Sequence, residues 1–417
     1  MTTAYNPNDL VSDLGFEIDF LQGIVETSPN NYLIVGSGKQ ANSSIIGGVV
    51  YTTQISIKSQ PPTINKAWFI DNIEGFNGPS ASPSEISIYG PRYYNNGGNK
   101  MLLLVGTIVY NVNDVETRYG FIYVNTSFRD EINLVYNDGS VGNTGNTFLI
   151  NTDDTLVAKF TSPTDYIFVH SIDTNISLSG VYSFVLNVSN PSYDGTKLSS
   201  IENAKMHSYV CTLNTNIYKF NYTRIQYPQA ITTTSYGIVH TNLNNYKIVG
   251  GYSWMDADLR NIYKNKNLSS TISIPVTPIA YGAGFITNYN SSTQSIFCFN
   301  TIENPNLRNY SLVTHVQGIC NNGNNNFTLS VDEFVDGNES AIYCNIDISS
   351  SKSTNIYTNG ILNMSSLQTI KYNQFEQYIP FDLTGQSIVS NNSTAKKYVC
   401  GILVNEGTVI PYQALIE

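Results

Sequence analysis

Four histidines are the side chains with the widest chemical range in this sequence, and each ends or interrupts an apolar run. Near neutral pH an imidazole acts as a general base, a proton donor or a metal ligand. No G-x-S-x-G or H-E-x-x-H segment and no histidine pair at metal-ligand spacing accompanies them. We therefore expect ordinary histidines at strand ends, with His240 and His315 as the two candidates for a ligand site in a central channel. The four are His170, His207, His240 and His315.

Carboxylates would serve as the acid and base of a glycosidase or as ligands for a cation. They are scattered singly, apart from "VDEFVDGNE" (331–339) and "NTDDT" (151–155). Asp332, Asp336 and Asn338 offer cation ligands, but their spacing differs from that of an EF-hand loop, and an exposed acidic turn is the simpler interpretation. The sequence therefore predicts no catalytic residues, no metal site and no cofactor.

Aromatic and amide side chains suggest a third kind of chemistry, the stacking and hydrogen bonding of a ligand. The chain has 30 Tyr, 18 Phe and 2 Trp. Aromatic rings with a polar edge suit such contacts, and we select Tyr252 and Trp254, with His240 and His315, as candidate binding residues. The competing interpretation is that Tyr fills the space between sheets, since it is a good strand former.

The charge pattern argues against binding to nucleic acid, and the apolar runs are too short for a membrane-spanning helix. Only 12% of residues are charged and the net charge is −10, without a basic run, so nucleic-acid binding is not expected. The longest apolar run, "MLLLVGTIVY" (101–110), is about half of a membrane-spanning helix. The first residues, "MTTAYNPNDL", lack the features of a secretory signal. We expect synthesis in the cytoplasm, no membrane span and an otherwise unknown location.

The elements that must position these residues are strands. Runs of four to eight residues rich in Val, Ile, Tyr and Phe alternate with clusters of Asn, Gly, Ser and Asp. β-Branched and aromatic residues suit a pleated sheet, and Asn and Gly accept the positive φ of tight turns. Because helical periodicity is almost absent, the sequence predicts an all-β protein.

A unit of two strands recurs along the chain. "NNYKIVGGY" (244–252) closely matches "NNYLIVGSG" (30–38), and "NKMLLLVGT" (99–107) has the same shape. Such repetition predicts a single β-propeller of residues 1–417 with about seven blades of three to four antiparallel strands, with six or eight blades or two β-sandwich domains as alternatives. The predicted blades lie near 15–75, 85–140, 145–232, 233–278, 279–316, 317–362 and 363–417.

Two stretches carry a family resemblance. "SYGIVHTNLNNYKIVGGYS" (235–253) and the segment from "VQGIC" to "AIYCNI" (316–346) resemble divergent HAF-type propeller repeats and, through Gly250–Gly251, kelch repeats. The resemblance implies a propeller and assigns no catalytic residue. Sialidase-like propellers carry a turn of the form S-x-D-x-G-x-T-W. The nearest stretch, "SYDGTK" (192–197), lacks one spacer and the Trp, so we do not assign it to that turn.

A weakly charged all-β chain without a catalytic motif favours a non-enzymatic propeller. We expect a protein-interaction or structural surface module, with protein partners or self-assembly, as a component of a virion or particle. The alternatives are a lectin-like glycan-binding propeller and a hydrolase with its site in the channel. The lining of the channel distinguishes them, because a polar lining with converging His and Asp favours a ligand site, whereas an apolar plug moves function to the outer faces.

Overall fold

The computed structural model of the chain describes most of its residues. Those described are 4–10, 14–40, 43–54, 61–73, 82–96, 98–128, 134–135, 146–148, 155–190, 205–226, 230–253, 282–303, 311–335, 338–347, 360–363, 365–369, 377–383, 397–405 and 408–416.

Antiparallel pairing divides most of the described strands into six groups of four, which we call blades one to six. Short parallel contacts join some of these groups into larger sheets. The chain begins with β1 (Ala4–Tyr5) and a 3-10 turn (Pro7–Asp9). Blade one consists of β2 (Phe16–Ser28), β3 (Asn31–Gln40), β4 (Ile46–Gln54) and β5 (Thr63–Ile73). Blade two consists of β6 (Glu85–Asn96), β7 (Asn99–Val112), β8 (Val115–Asn125) and β11 (Thr155–Phe160), with the short strands β9 (Leu134–Val135) and β10 (Asn146–Phe148) between the last two. Strand β10 extends blade one beside β5.

The remaining blades repeat the same order. Blade three consists of β12 (Tyr166–Thr174), β13 (Val181–Ser189), β14 (Met206–Asn214) and β15 (Lys219–Ile225). Blade four consists of β16 (Thr232–Asn242), β17 (Asn245–Ser253), β18 (Gly282–Asn290) and β19 (Ser295–Glu303). Blade five consists of β20 (Ser311–Gly323), β21 (Asn326–Val335), β22 (Asn338–Asp347) and β24 (Ser365–Thr369), and β23 (Gly360–Asn363) runs parallel to β19. Blade six consists of β25 (Gln377–Leu383), β26 (Lys397–Asn405) and β27 (Thr408–Ile416), together with β1.

The blades form a closed ring, which confirms the predicted all-β propeller. The first strand of each blade contacts the first strand of the next, and β25 contacts β2. Strand β1 pairs with β27, joining Ala4 to Ala414, so blade six contains both ends of the described chain. The described strands give six blades, one of the predicted alternatives, because the stretches predicted as separate units at 233–278 and 279–316 form the two halves of blade four. The division of the whole chain into one domain with the predicted borders stays a prediction.

Apolar side chains on both faces of the blades hold the ring together. Five clusters of buried residues each join two consecutive blades. Burying one Val, Leu, Ile or Phe side chain stabilises the fold by about 1.5–3 kcal/mol, so a sheet with two apolar faces requires a neighbour on each side. Representative pairs, one from each cluster, are Trp68 and Phe121, Tyr51 and Cys400, Ile286 and Leu329, Ile122 and Phe184, and Val185 and Phe285.

The Asn-rich breaks form the turns between paired strands. Asn324 and Asn325 join β20 to β21 with φ values of 52° and 62°, and Asn113 and Asp114 join β7 to β8 with 52° and 62°. Two consecutive residues with positive φ are typical of the type I′ turn, whose twist matches that of the flanking strands. Asn and Asp adopt this conformation more readily than other residues with a β-carbon.

Candidate ligand site in the axial channel

A β-bulge interrupts the inner strand of successive blades at the same place. One extra residue stands unpaired in each of five inner strands, namely Gln22 in β2, His170 in β12, Tyr236 in β16, Gln317 in β20 and Phe381 in β25. In β6 the irregularity follows Tyr89. A bulge redirects a side chain away from the alternation of the strand and is common next to functional sites.

The bulged side chains face the central channel. Gln22, His170, Tyr236 and Gln317 are each partly exposed, although the residues on both sides of each are buried. Tyr89 is also partly exposed between buried neighbours. Because the inner strands form a closed ring, equivalent bulges on them meet around one axis. We call Gln22, Tyr89, His170, Tyr236 and Gln317 the axial ring.

Three members of the axial ring are in direct contact. The ring centroid of His170 lies 5.0 Å from that of Tyr89 and 5.2 Å from that of Tyr236, with the second pair nearly perpendicular. These distances are typical of aromatic pairs in protein cores. Three consecutive inner strands, β6, β12 and β16, therefore present a continuous aromatic surface to the channel.

The ionisable members of the axial ring are uncharged at neutral pH. Burial lowers the pKa of His170 from 6.5 to about 4, because the imidazolium would lose its hydration. Burial also raises the pKa of Tyr89 above its ordinary value. The Oε1 atom of Gln22 is buried and has no hydrogen-bond partner in the described part of the chain. The channel at this level offers neutral donors, acceptors and aromatic faces.

Glycines beside the bulges allow the inner strands to approach closely. A β-carbon at Gly23 would lie 2.2 Å from Cδ of Pro91, and one at Gly90 would lie 2.6 Å from the carbonyl oxygen of His170. Gly90 also has a φ of +42°, a conformation that favours glycine. The glycine after Gln22 and the glycine after Tyr89 thus bring the neighbouring strand close enough for ring contacts.

Below the axial ring, polar side chains bridge three inner strands. Arg92 is 3% exposed, and its Nη2 donates to Oγ of Ser171 at 3.3 Å and to the carbonyl oxygen of Ile238 at 3.2 Å. The amide of Ile238 donates to the same Ser171 hydroxyl at 3.3 Å. Both backbone groups of Ile238 thus bond to side chains of other blades rather than to β17, which places them on the channel side of β16.

A second set of bonds continues this network toward the ends of the inner strands. Asp173 is buried, accepts from the hydroxyl of Tyr94 and accepts from the amide of His240 at 2.7 Å. A buried carboxylate requires several such donors. Asp173 therefore acts as a bridge between blades two, three and four.

Charged side chains lie toward the starts of the inner strands. Arg118 bonds to Glu116 at 2.6 Å and lies 4.0 Å from Glu85 at the start of β6. Its guanidinium also lies 5.9 Å from the ring centroids of both Tyr166 and Phe168. We call the region around Glu85 and Arg118 the charged rim.

One carboxyl group occupies a bulge of its own. Asp19 stands unpaired between Ile18 and Phe20 in β2, three residues before Gln22. Burial, followed by the charge of Glu17, raises the pKa of Asp19, and the charge of Lys39 opposes the shift. A raised pKa is a property of carboxyl groups that donate protons.

The structure separates the two histidines that the sequence selects. His315 lies beside the axial ring, with its ring centroid 6.3 Å from that of Tyr236 and its Cδ2 against Gly251 of blade four. His240 lies at the far end of β16, where Nε2 is 2.9 Å from the carbonyl oxygen of Leu243. Tyr252 is fully buried between blades three and four. The binding role predicted for these three residues stays a prediction.

Trp254, the fourth predicted binding residue, and the stretch "SYDGTK" lie outside the described residues.

Sequence reasoning missed most of the axial ring, although a signal was present. The ring residue directly precedes a glycine in "QG" (22–23), "YG" (89–90), "YG" (236–237) and "QG" (317–318), and in "HS" (170–171) a serine takes the place of the glycine. The repeated glycine is visible in the sequence, but nothing local distinguishes the residue before it from an ordinary residue of the strand.

Two further features bear on ligands and membranes. Among the described side chains, no three His, Cys, Asp or Glu residues gather closely enough to hold a metal ion. Within the same residues, no helix is long and apolar enough to span a lipid bilayer.

Comparisons with solved structures match propellers. Hadza microbial sialidase Hz136 superimposes with a TM-score of 0.50 at 9% identity, covering 99% of this chain and 68% of that chain. Trypanosoma rangeli sialidase gives a TM-score of 0.42 at 6% identity, covering 100% of this chain and 57% of that chain. An ulvan lyase of polysaccharide lyase family PL25 gives 0.42 at 7% identity, covering 96% and 95%. At these identities the likeness shows the fold alone.

Comparisons of sequence find less. No family model matches the chain. No curated protein matches it either. The similarity to HAF-type and kelch repeats therefore stays a resemblance of short motifs.

The prediction of a non-enzymatic interaction or structural module in a virion or particle is wrong. The solved structure that superimposes with a TM-score of 0.50, Hadza microbial sialidase Hz136, is an enzyme. Within the described residues, polar and aromatic side chains also stand at the bulges of the inner strands. Nothing in the comparisons supports a protein partner, and the glycan alternative agrees with them better.

Proposed function

We propose that this protein binds glycans and that the axial ring is the binding site. The observation that carries the proposal is the recurrence of one bulge on successive inner strands, which turns neutral polar and aromatic side chains toward a single point.

The chemistry of the axial ring suits a sugar. The C–H face of a pyranose packs on an aromatic ring, and its hydroxyls exchange hydrogen bonds with amides and imidazole. Tyr89, His170 and Tyr236 provide the aromatic surface. The buried Oε1 of Gln22 requires a donor, which a sugar hydroxyl provides. The match to a sialidase supports the proposal at the level of fold.

Glycan binding is tested by screening the purified chain on a glycan array and measuring each hit by calorimetry. Tyr236→Ala removes a ring from the centre of the site, and we expect at least a tenfold loss of affinity. Tyr218→Ala is the matched control, because Tyr218 is 94% exposed in the β14–β15 turn. An array without hits, or equal losses for the two variants, contradicts the proposal.

Hydrolysis of the bound glycan is a second candidate function, and Asp19 is the residue that favours it. Its pKa is raised, and it stands on an inner-strand bulge near Gln22. A protonated carboxyl there would donate its proton to the oxygen of the leaving group as the glycosidic C–O bond breaks. Water would attack the same carbon, and the proton that this water loses would pass to solvent.

One substitution distinguishes glycan hydrolysis from glycan binding alone. Asp19→Asn should abolish release of reducing sugar from a bound oligosaccharide and leave its affinity within about threefold. Asp71→Asn is the control, since the pKa of this half-buried carboxyl on the outer strand β5 is also raised by burial. Undiminished turnover by Asp19→Asn rules out this role.

A further inference from the structure

We infer that the axial ring accepts an uncharged sugar and discriminates against sugars that carry a carboxylate. This inference rests on the proposed function and names the class of ligand that the same site takes.

The side chains of the axial ring offer no positive charge. Gln22 and Gln317 carry neutral amides, and Tyr89 and Tyr236 carry phenols. His170 is enclosed by the aromatic rings of Tyr89, Phe168 and Tyr236, and this enclosure keeps it neutral at pH 7. A ligand at this level therefore meets dipoles and aromatic faces.

Two arginines of the described residues, Arg92 and Arg118, are already engaged by other groups. Arg92 is 3% exposed and directs its Nη atoms to Pro91, Ser171 and Ile238. The carboxylate of a ligand would have to displace these bonds in order to reach the guanidinium.

Arg118 is engaged in a different way, by ion pairs at the charged rim. It lies between the carboxylates of Glu116 and Glu85, at 2.6 Å and 4.0 Å. The three groups together carry a net negative charge, which repels an anion that approaches from this side.

Gln22 adds a preference based on hydrogen bonding. Its buried Oε1 lacks a partner in the described part of the chain, and only a donor satisfies it. The hydroxymethyl group of a neutral hexose donates a hydrogen, whereas the carboxylate of the matching uronic acid has none to donate. A buried acceptor left unsatisfied weakens binding.

The test uses pairs of ligands that differ in this group alone. The methyl glycosides of glucose, galactose and mannose are compared with the corresponding methyl uronides by calorimetry or ligand-observed NMR at physiological salt. We expect at least one neutral glycoside to bind ten times more tightly than its uronide, and Tyr236→Ala to abolish that binding.

The other outcomes overturn the inference. A uronide that binds as tightly as its neutral partner, or more tightly, contradicts the inference but supports a glycan site. Failure of every sugar in the panel and on the array overturns the proposed function, and this inference with it.

A charge variant tests the role of the rim. Glu85→Gln keeps an acceptor for the Ser87 hydroxyl, 3.2 Å away, and removes one negative charge near Arg118. We expect the preference for the neutral sugar to fall at least threefold, while Asp71→Asn on the outer strand β5 leaves it unchanged. An unchanged preference in Glu85→Gln, with the thermal midpoint preserved, overturns the electrostatic argument.

Discussion

His170 combines a packing role with an ionisable group in the centre of the channel. Its folded pKa of about 4 lies below the ordinary value of 6.5. The unfolded chain therefore binds a proton more tightly than the folded chain between these two values. Stability falls as the pH drops through 6.5, and the whole penalty is present below pH 4.

Unfolding in urea at pH 7.0 and pH 4.5 tests this residue. The fall in the pKa from 6.5 to about 4 corresponds to at most about 3–4 kcal/mol of lost stability, and the partial exposure of His170 reduces it. We expect His170→Gln to lose clearly less stability than the parent chain over this pH range. His207, whose pKa burial also lowers to about 4, supplies the remaining dependence. Identical pH dependence in both proteins would show that folding does not lower the pKa of His170.

Arg92 shows what a single buried charge does for three strands. Removing its side chain leaves the Ser171 hydroxyl and the Ile238 carbonyl without this donor. A neutral buried polar group left without its partner typically costs about 1–3 kcal/mol. We expect Arg92→Met to lower the free energy of unfolding by this order, as measured by urea titration, whereas Arg224→Met on the outer strand β15 should cost less than half as much. Equal costs would mean that the network contributes no more than ordinary packing.

At the scale of the element, the Gln22 bulge depends on a glycine in the paired strand. Gly36 pairs with Leu21 beside the Gln22 bulge, and a β-carbon there would lie 1.9 Å from the carbonyl oxygen of Phe20. Backbone atoms on an adjacent strand have little freedom to move away. The first glycine of "YLIVGSG", Gly36, is therefore required by the bulge of the partner strand.

Gly36→Ala should accordingly be costly. We expect a loss of about 1–3 kcal/mol or more, the range for overpacking a well-packed core. Gln54→Ala, at the exposed end of β4, should change stability by less than about 0.5 kcal/mol. Chemical denaturation of both variants provides the measurement, and a neutral Gly36→Ala would indicate that β2 and β3 can separate locally.

The strands and turns could be predicted from the sequence, because their signals are local. Alternation of β-branched and aromatic residues marks β16 and β17, and Asn pairs mark the type I′ turns. The axial ring could not be predicted from the sequence, because its members lie on different blades. They share only their position before a glycine or serine. The engagement of Arg92 by Ser171 and Ile238 joins residues 79 and 146 positions apart, and no local pattern records that.

At the scale of the whole molecule, the ring is closed by a short segment. Strand β1 contributes only two paired residues to β27, and Asn8 supports it with two bonds to the backbone of Ile18, both 2.9 Å long. A buried hydrogen bond also joins blades one and six, donated by the hydroxyl of Tyr51 to Oε1 of Gln413 at 3.1 Å. These contacts hold the first and the last described strands in one sheet.

Asn8→Ala should weaken this closure. Two lost hydrogen bonds, with the Ile18 amide and carbonyl left unpaired, correspond to about 1–3 kcal/mol. We expect a lower thermal midpoint and faster hydrogen exchange in β1 and β27, with little change in β12 and β13. Asn216→Ala, in an exposed turn of blade three, is the control. Uniformly faster exchange across all blades would contradict a local role.

The pairing of Ala4 with Ala414 affects how the chain folds during its synthesis. The ribosome completes β1 long before β27, so the first strand waits for its partner while all the other blades are made. Until then the apolar face of blade one that packs against Cys400 remains uncovered, and such transient exposure invites chaperone binding and self-association. A circular permutant that joins these two strands by a linker and opens the chain elsewhere would acquire its last sheet early, and it should refold with less aggregation.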